Sequence, residues 1–210
     1  NTLIDNSEFE SALDFVAELY QQNIDAVIVQ DLGLMHAIRQ LFPALKIHAS
    51  TQMTVHNLAG IQFLQEQGVA RVVLAREMNL SEIARLGSQA QGVELEVFIH
   101  GALCYSFSGQ CLFSSIVGGR SGNRGRCAQP CRMSYDLLSG QDKPEAQGYL
   151  LSPADLCLID MLPALREAGI TSLKIEGRMK RPEYVAVVTQ AYREVLDLEY
   201  SDNRQVRADA

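Results

Sequence analysis

Short apolar, β-branched runs alternate along this chain with segments whose apolar positions recur every three or four residues. "IDAVIVQD" (24–31), "LKIHAST" (45–51), "ARVVLARE" (70–77), "ELEVFIHG" (94–101) and "ITSLKIEG" (170–177) read as strands. Helical periodicity covers 7–22, 32–42, 55–68, 79–87, 152–169 and 181–200. Pro43 ends the second helix and Gly68 caps the third. Asn79 or Ser81 caps the fourth. Ser152 followed by Pro153 reads as the cap and first position of the fifth, with Pro163 kinking or splitting it. The tail 201–210 is polar and reads as frayed.

This order implies parallel strands joined by right-handed crossovers. Five strands, with "NTLI" as the stump of another, fall short of the eight of a closed barrel. The expectation is an α/β fold: one parallel β/α, TIM-barrel-like domain over 1–200 that lacks its first strands, so that the chain is a piece of a longer protein. A cysteine- and glycine-rich loop, 102–134, is inserted after the 94–101 strand. No apolar run approaches the ~18 residues of a membrane helix, and no basic-then-apolar leader is present. A cytoplasmic protein without a membrane span is the corresponding expectation.

Side chains alternate along a strand. Glu96, Phe98 and His100 should therefore share one face, as should Lys174 and Glu176, with Val97, Ile99, Leu173 and Ile175 turned towards the helices. Polar residues gather at the C-terminal ends of the strands, where a β/α barrel places its chemistry. Glu96, His100, Lys174 and Glu176 are the candidates for proton handling; a satisfied structural network is the competing explanation.

Four of the five cysteines fall in "CYSFSGQCLFSSIVGGRSGNRGRCAQPC", Cys104 to Cys131. The spacing is C-x6-C, fifteen residues, then C-x3-C. An odd cysteine count without a leader favours metal or catalysis over disulfides. Only the second pair suits zinc, whereas an iron–sulfur cluster tolerates irregular spacing. A nucleophilic thiol would need a base, and His100 lies four residues before Cys104. Cys157 stands apart and reads as a small apolar helix residue.

The net charge of -7 argues against non-specific nucleic-acid binding, but it is unevenly spread. Residues 101–135 hold Arg120, Arg124, Arg126 and Arg132 and no acid. Lys174, Arg178, Lys180 and Arg181 form a second basic group. Both suit an anion-binding face or solvated loops.

"EVFIHGALCYSFSGQCLFSS", with "HASTQMTVHN", "GGRSGNRGRCAQPCRMSY", "YLLSPADLCLIDMLPAL" and "SLKIEGRMKRPEYVAVV" in the same order, resembles the collagenase-like peptidase family U32. The resemblance runs to about Tyr200. It implies a β/α portion preceding this chain, and an activity of one of several kinds. Members similar to this sequence hydroxylate the wobble uridine of tRNA in a prephenate-dependent reaction. Others hydroxylate a ribosomal-RNA cytidine, act in ubiquinone synthesis with 4Fe-4S clusters, or carry the peptidase name. Carried over residue by residue, the resemblance makes Cys104, Cys111 and Cys127 ligands of a 4Fe-4S cluster, with Cys131 or Cys157 as the fourth and zinc as the alternative metal. Arg124, Arg126 and Arg178 would hold anions, either RNA phosphates or prephenate. The implied partners are tRNA and the rest of the same protein.

Overall fold

The computed structural model describes residues 1–139 and 144–208. After a 3-10 turn at Asn6–Glu8, the first half runs α1 (Phe9–Gln21), β1 (Ala26–Val29), α2 (Leu32–Leu41), β2 (Lys46–Ala49), α3 (Leu58–Glu66), β3 (Arg71–Val73), α4 (Leu80–Gln89) and β4 (Glu94–Gly101). The second half adds α5 (Phe113–Gly118), β5 (Tyr135–Leu138), β6 (Pro144–Gly148), β7 (Leu156–Cys157), α6 (Leu162–Glu167), β8 (Ser172–Ile175) and α7 (Pro182–Ala208).

β1, β2, β3, β4 and β8 pair in parallel, in chain order. Because the order never reverses, each crossover steps in the same direction and the sheet is wound once, as a curled half-barrel. Helix residues Ile38, Ile61, Leu64, Leu86 and Leu165 join Val29, Ile47, Val72, Leu95, Val97 and Ile99 of the sheet in a single core. The local sequence sets the helix starts. Asp31 accepts from the Leu34 N–H at 2.8 Å, Asn57 from the Gly60 N–H at 2.8 Å, and Asn79, rather than Ser81, forms a capping box with Glu82. Gly68, at φ +77°, follows α3 as expected.

Four expectations are corrected. "NTLI" forms no strand; it is tied down by Leu3 N–H to the Asn123 carbonyl, at 3.0 Å, and Ile4 N–H to Asp31. The helix expected over 152–169 begins only at Leu162. Arg132 takes the Ser152 hydroxyl and the Pro153 carbonyl, and β7 pairs antiparallel with the end of β4, so this backbone is committed elsewhere. Pro163 lies in the first turn of α6, where its missing N–H costs no bond. Helix α7 continues to Ala208 instead of ending near Tyr200, and residues 209–210 lie outside the described residues. The β5–β6 hairpin, antiparallel and separate from the main sheet, and the short α5 carried no periodic signal.

Candidate functional site

The sheet has an apolar face against the helices and a polar face opposite. Register places Arg71 beside Glu94, Val73 beside Glu96, Glu96 beside Ser172, and Phe98 beside Lys174. Glu96, 7% exposed, accepts from Ser172 Oγ at 2.7 Å and pairs with Lys174 at 3.1 Å and Arg71 at 3.3 Å. Burial opposes its ionisation, but the Ser172 hydrogen bond and the charges of Lys174 and Arg71 outweigh that cost and hold its carboxyl below the usual range. Burial and the Arg71 charge lower the pKa of His48.

Beyond the C-terminal ends of these strands opens a cavity of about 610 Å3. Ser50, Thr51 and Gln52 reach it after β2, Arg76 after β3, and Lys174, Glu176 and Arg178 from the end of β8. Phe98 lies on its floor, with the Lys174 ammonium 5.4 Å from the ring centre. The loop after β4 supplies Cys104, Cys111, Cys127 and Cys131, all as free thiols in the same wall. Cys104 is exposed and the other three are half-buried. Burial, together with neighbouring Cys104, raises the Cys131 pKa, partly offset by Arg132; Cys127 adds to the rise. The Gln129 N–H donates to Cys127 Sγ at 3.3 Å. Four soft donors around one space suit iron or another thiophilic metal. Among the described residues no three His, Cys, Asp or Glu side chains are grouped to hold one metal ion.

Polar anchors hold this loop in place. Ser108 is fully buried; its N–H donates to Glu77 at 2.6 Å, its hydroxyl accepts from Arg76 Nε at 3.1 Å, and its carbonyl accepts from Thr54 Oγ1. Gly109 adopts φ +73°, and a Cβ there would lie 2.1 Å from the Gln52 carbonyl oxygen, so only glycine fits. Arg132 ties the Leu103 carbonyl to residues 152–155, including Asp155 at 3.3 Å. Arg178 donates to the carbonyls of Gly125 and Cys127 at 3.4 and 3.3 Å, joining the end of the sheet to the thiol segment.

The expected site residues thus divide. Lys174, Glu176, Arg178 and four cysteines share the cavity. Glu96 supports Lys174 from below and is absent from the lining. Arg124 pairs with Glu8, and Arg126 is exposed; neither lines the cavity. His100 departs from its expected face. The β4–β8 register shifts between Phe98 and His100, so His100 pairs with Ile175 and turns to α7. There its ring meets Tyr184 and Tyr192 at 6.0 and 5.5 Å, with Nδ1 3.3 Å from the Tyr192 hydroxyl. Tyr192, 4% exposed, donates to the Ile99 carbonyl and accepts from the Leu158 N–H, and burial lifts its pKa to about 12. Cys157 lies on β7, opposite His100 and 3.9 Å from the Tyr192 hydroxyl, not on a helix and not in the cavity wall. Arg76 and Gln52 are lining residues that no motif marked as site residues; their positions just after β3 and β2 were the available signal.

The family model described as peptidase family U32 matches residues 1–210. The 23S rRNA 5-hydroxycytidine synthase of Escherichia coli is 42% identical over 198 residues, covering 94% of this chain and 30% of that protein. The tRNA hydroxylation protein P1 of Bacillus subtilis is 39% identical over 209 residues, covering 96% and 49%. An uncharacterized protease of Methanocaldococcus jannaschii is 40% identical over 209 residues, covering 94% and 50%. The chain spans half or less of the length of each of these relatives.

Proposed function

We propose that this chain, which belongs to peptidase family U32, carries the catalytic cavity of an RNA pyrimidine hydroxylase. The observation that carries this reading is the meeting of Cys104, Cys111, Cys127 and Cys131 with Arg76, Lys174 and Arg178 around one space. Two of the three relatives above are named for RNA hydroxylation. The four thiols line one cavity, and their first spacing, C-x6-C, departs from the short C-x2-4-C pairs of zinc sites, whereas a 4Fe-4S cluster accepts four irregularly spaced cysteines. When bound by these cysteines, such a cluster would supply the redox chemistry of hydroxylation.

The residues of the chain do the rest. Lys174, fixed between Glu96 and Phe98, and Arg178, fixed on loop carbonyls, present positive charge to an anionic co-substrate such as prephenate or to RNA phosphates. Arg76 is held through Nε on Ser108 and lines the same space. Exchange of hydrogen for hydroxyl at the pyrimidine C5 is a two-electron oxidation; the co-substrate would give up its hydroxyl and be reduced by two electrons, its C–O bond replaced by C–H, and Glu176 is the lining carboxylate positioned to carry the C5 proton. The wobble uridine of tRNA is the proposed target, and a cytidine of large-subunit ribosomal RNA is the second candidate.

The protease name of one relative supports a peptidase reading. A thiol nucleophile needs a base within hydrogen-bond reach. No histidine lines this cavity among the described residues, and His100 faces α7. Nucleoside mass spectrometry of tRNA and ribosomal RNA from a strain lacking the gene tests the proposal. Loss of 5-hydroxyuridine from tRNA is expected; loss of 5-hydroxycytidine moves the target to ribosomal RNA. Unchanged nucleosides in both pools contradict it.

A further inference from the structure

Of the four aromatic side chains that line the cavity, Phe98, Tyr105, Phe107 and Phe113, two are exposed. Tyr105 and Phe107 lie between Cys104 and Cys111, line the cavity, and are 61% and 65% exposed. Burying such rings elsewhere would stabilise the fold, yet this loop turns them outwards and the next residue inwards. Ser108, 0% exposed, bonds Glu77, Arg76 and Thr54, so the loop is pinned immediately beside the pair. The rings are therefore held ready in an anchored segment.

We infer that Tyr105 and Phe107 form a stacking platform for the unpaired pyrimidine base of an RNA strand; this rests on the RNA reading above. A nucleotide joins the two features this wall offers. Its base has a flat π-face for exposed rings, and its phosphate has a charge for Arg76, Lys174 and Arg178. A base already pulled out of its helix must be held before chemistry at C5, and stacking does so without reading its sequence.

The test is fluorescence anisotropy with a labelled single-stranded uridine hexanucleotide and the same strand carrying one abasic position. The wild-type chain should bind the intact strand about tenfold more tightly than the abasic one. Tyr105→Ala and Phe107→Ala should each erase most of that preference and leave the salt dependence of binding unchanged. Tyr105→Phe and Phe107→Tyr should keep it, with circular dichroism confirming that every variant is folded. Equal affinity of the wild-type chain for both strands overturns the platform and spares the RNA reading. So does a preference that survives in both alanine variants. Absence of RNA binding at low salt, or displacement of the strand by gelatin peptides, overturns both.

Discussion

The scaffold from residue 24 to 101 and the connection from 102 to 157 are built on different principles. The scaffold buries Ile38, Ile47, Ile61 and Val72 completely, and its stability comes from apolar packing of helices on one sheet face. The connection exposes Tyr105, Phe107, Leu112, Ile116 and Val117 and is held by the Ser108 N–H on the Glu77 carboxylate and by Arg132 and Arg178 on backbone carbonyls. Packing is non-directional; hydrogen bonds fix position and orientation. The region carrying the thiols is thus held by the interactions that best fix geometry, and the region beneath by those that best supply stability.

Substitutions in the two regions should therefore fail differently. The largest effects come first. Cys104→Ser and Cys127→Ser should leave thermal unfolding of the metal-free chain nearly unchanged but reduce iron retention and RNA hydroxylation below detection, measured by metal analysis and nucleoside mass spectrometry. Ile47→Ala should do the reverse, losing about 2–5 kcal/mol of stability in urea titration, with the metal-binding capacity of the remaining folded protein intact. Gly109→Ala meets both a positive φ and the Gln52 carbonyl; a cost of about 1–3 kcal/mol and impaired iron retention are expected. Gly118→Ala, with nothing within 4 Å of its added Cβ, should be silent in both assays.

The smallest measurable effect is a pH dependence. The folded-state pKa of Glu96 lies below its ordinary 4.5. Its ionised pairing therefore stabilises the fold fully above that ordinary value and is lost as pH falls through the depressed folded value. Stability curves of wild type and Glu96→Gln should converge across that acidic window and separate above it. Parallel curves would show that the Lys174 and Arg71 pairs contribute nothing.

What was legible follows the same division. Alternation and caps expose the scaffold because each signal is local: Asp31, Asn57 and Asn79 sit where the chain itself needs a cap. The cysteine spacing marked the cavity wall for a similar reason, since thiols without disulfides have few other uses in one loop. His100 was misplaced because a one-residue register shift inverts a strand face, and it arises between β4 and β8, over seventy positions apart. Ser152–Pro153 carried a helix-start signature, but Arg132, twenty residues earlier, claimed its polar groups. Arg124 was likewise taken by Glu8, at a sequence separation of 116. Composition identified these arginines; only the fold assigns their partners.

The measurement closest to the central claim is the iron and acid-labile sulfide content of the chain, reconstituted without oxygen, alongside its Cys104→Ser, Cys111→Ser, Cys127→Ser, Cys131→Ser and Cys157→Ser variants. The account predicts about four iron and four sulfide per wild-type chain, lost or sharply reduced in each of the first four variants and retained in Cys157→Ser. Stoichiometric zinc without iron, or iron lost with Cys157 and kept without Cys131, would contradict it.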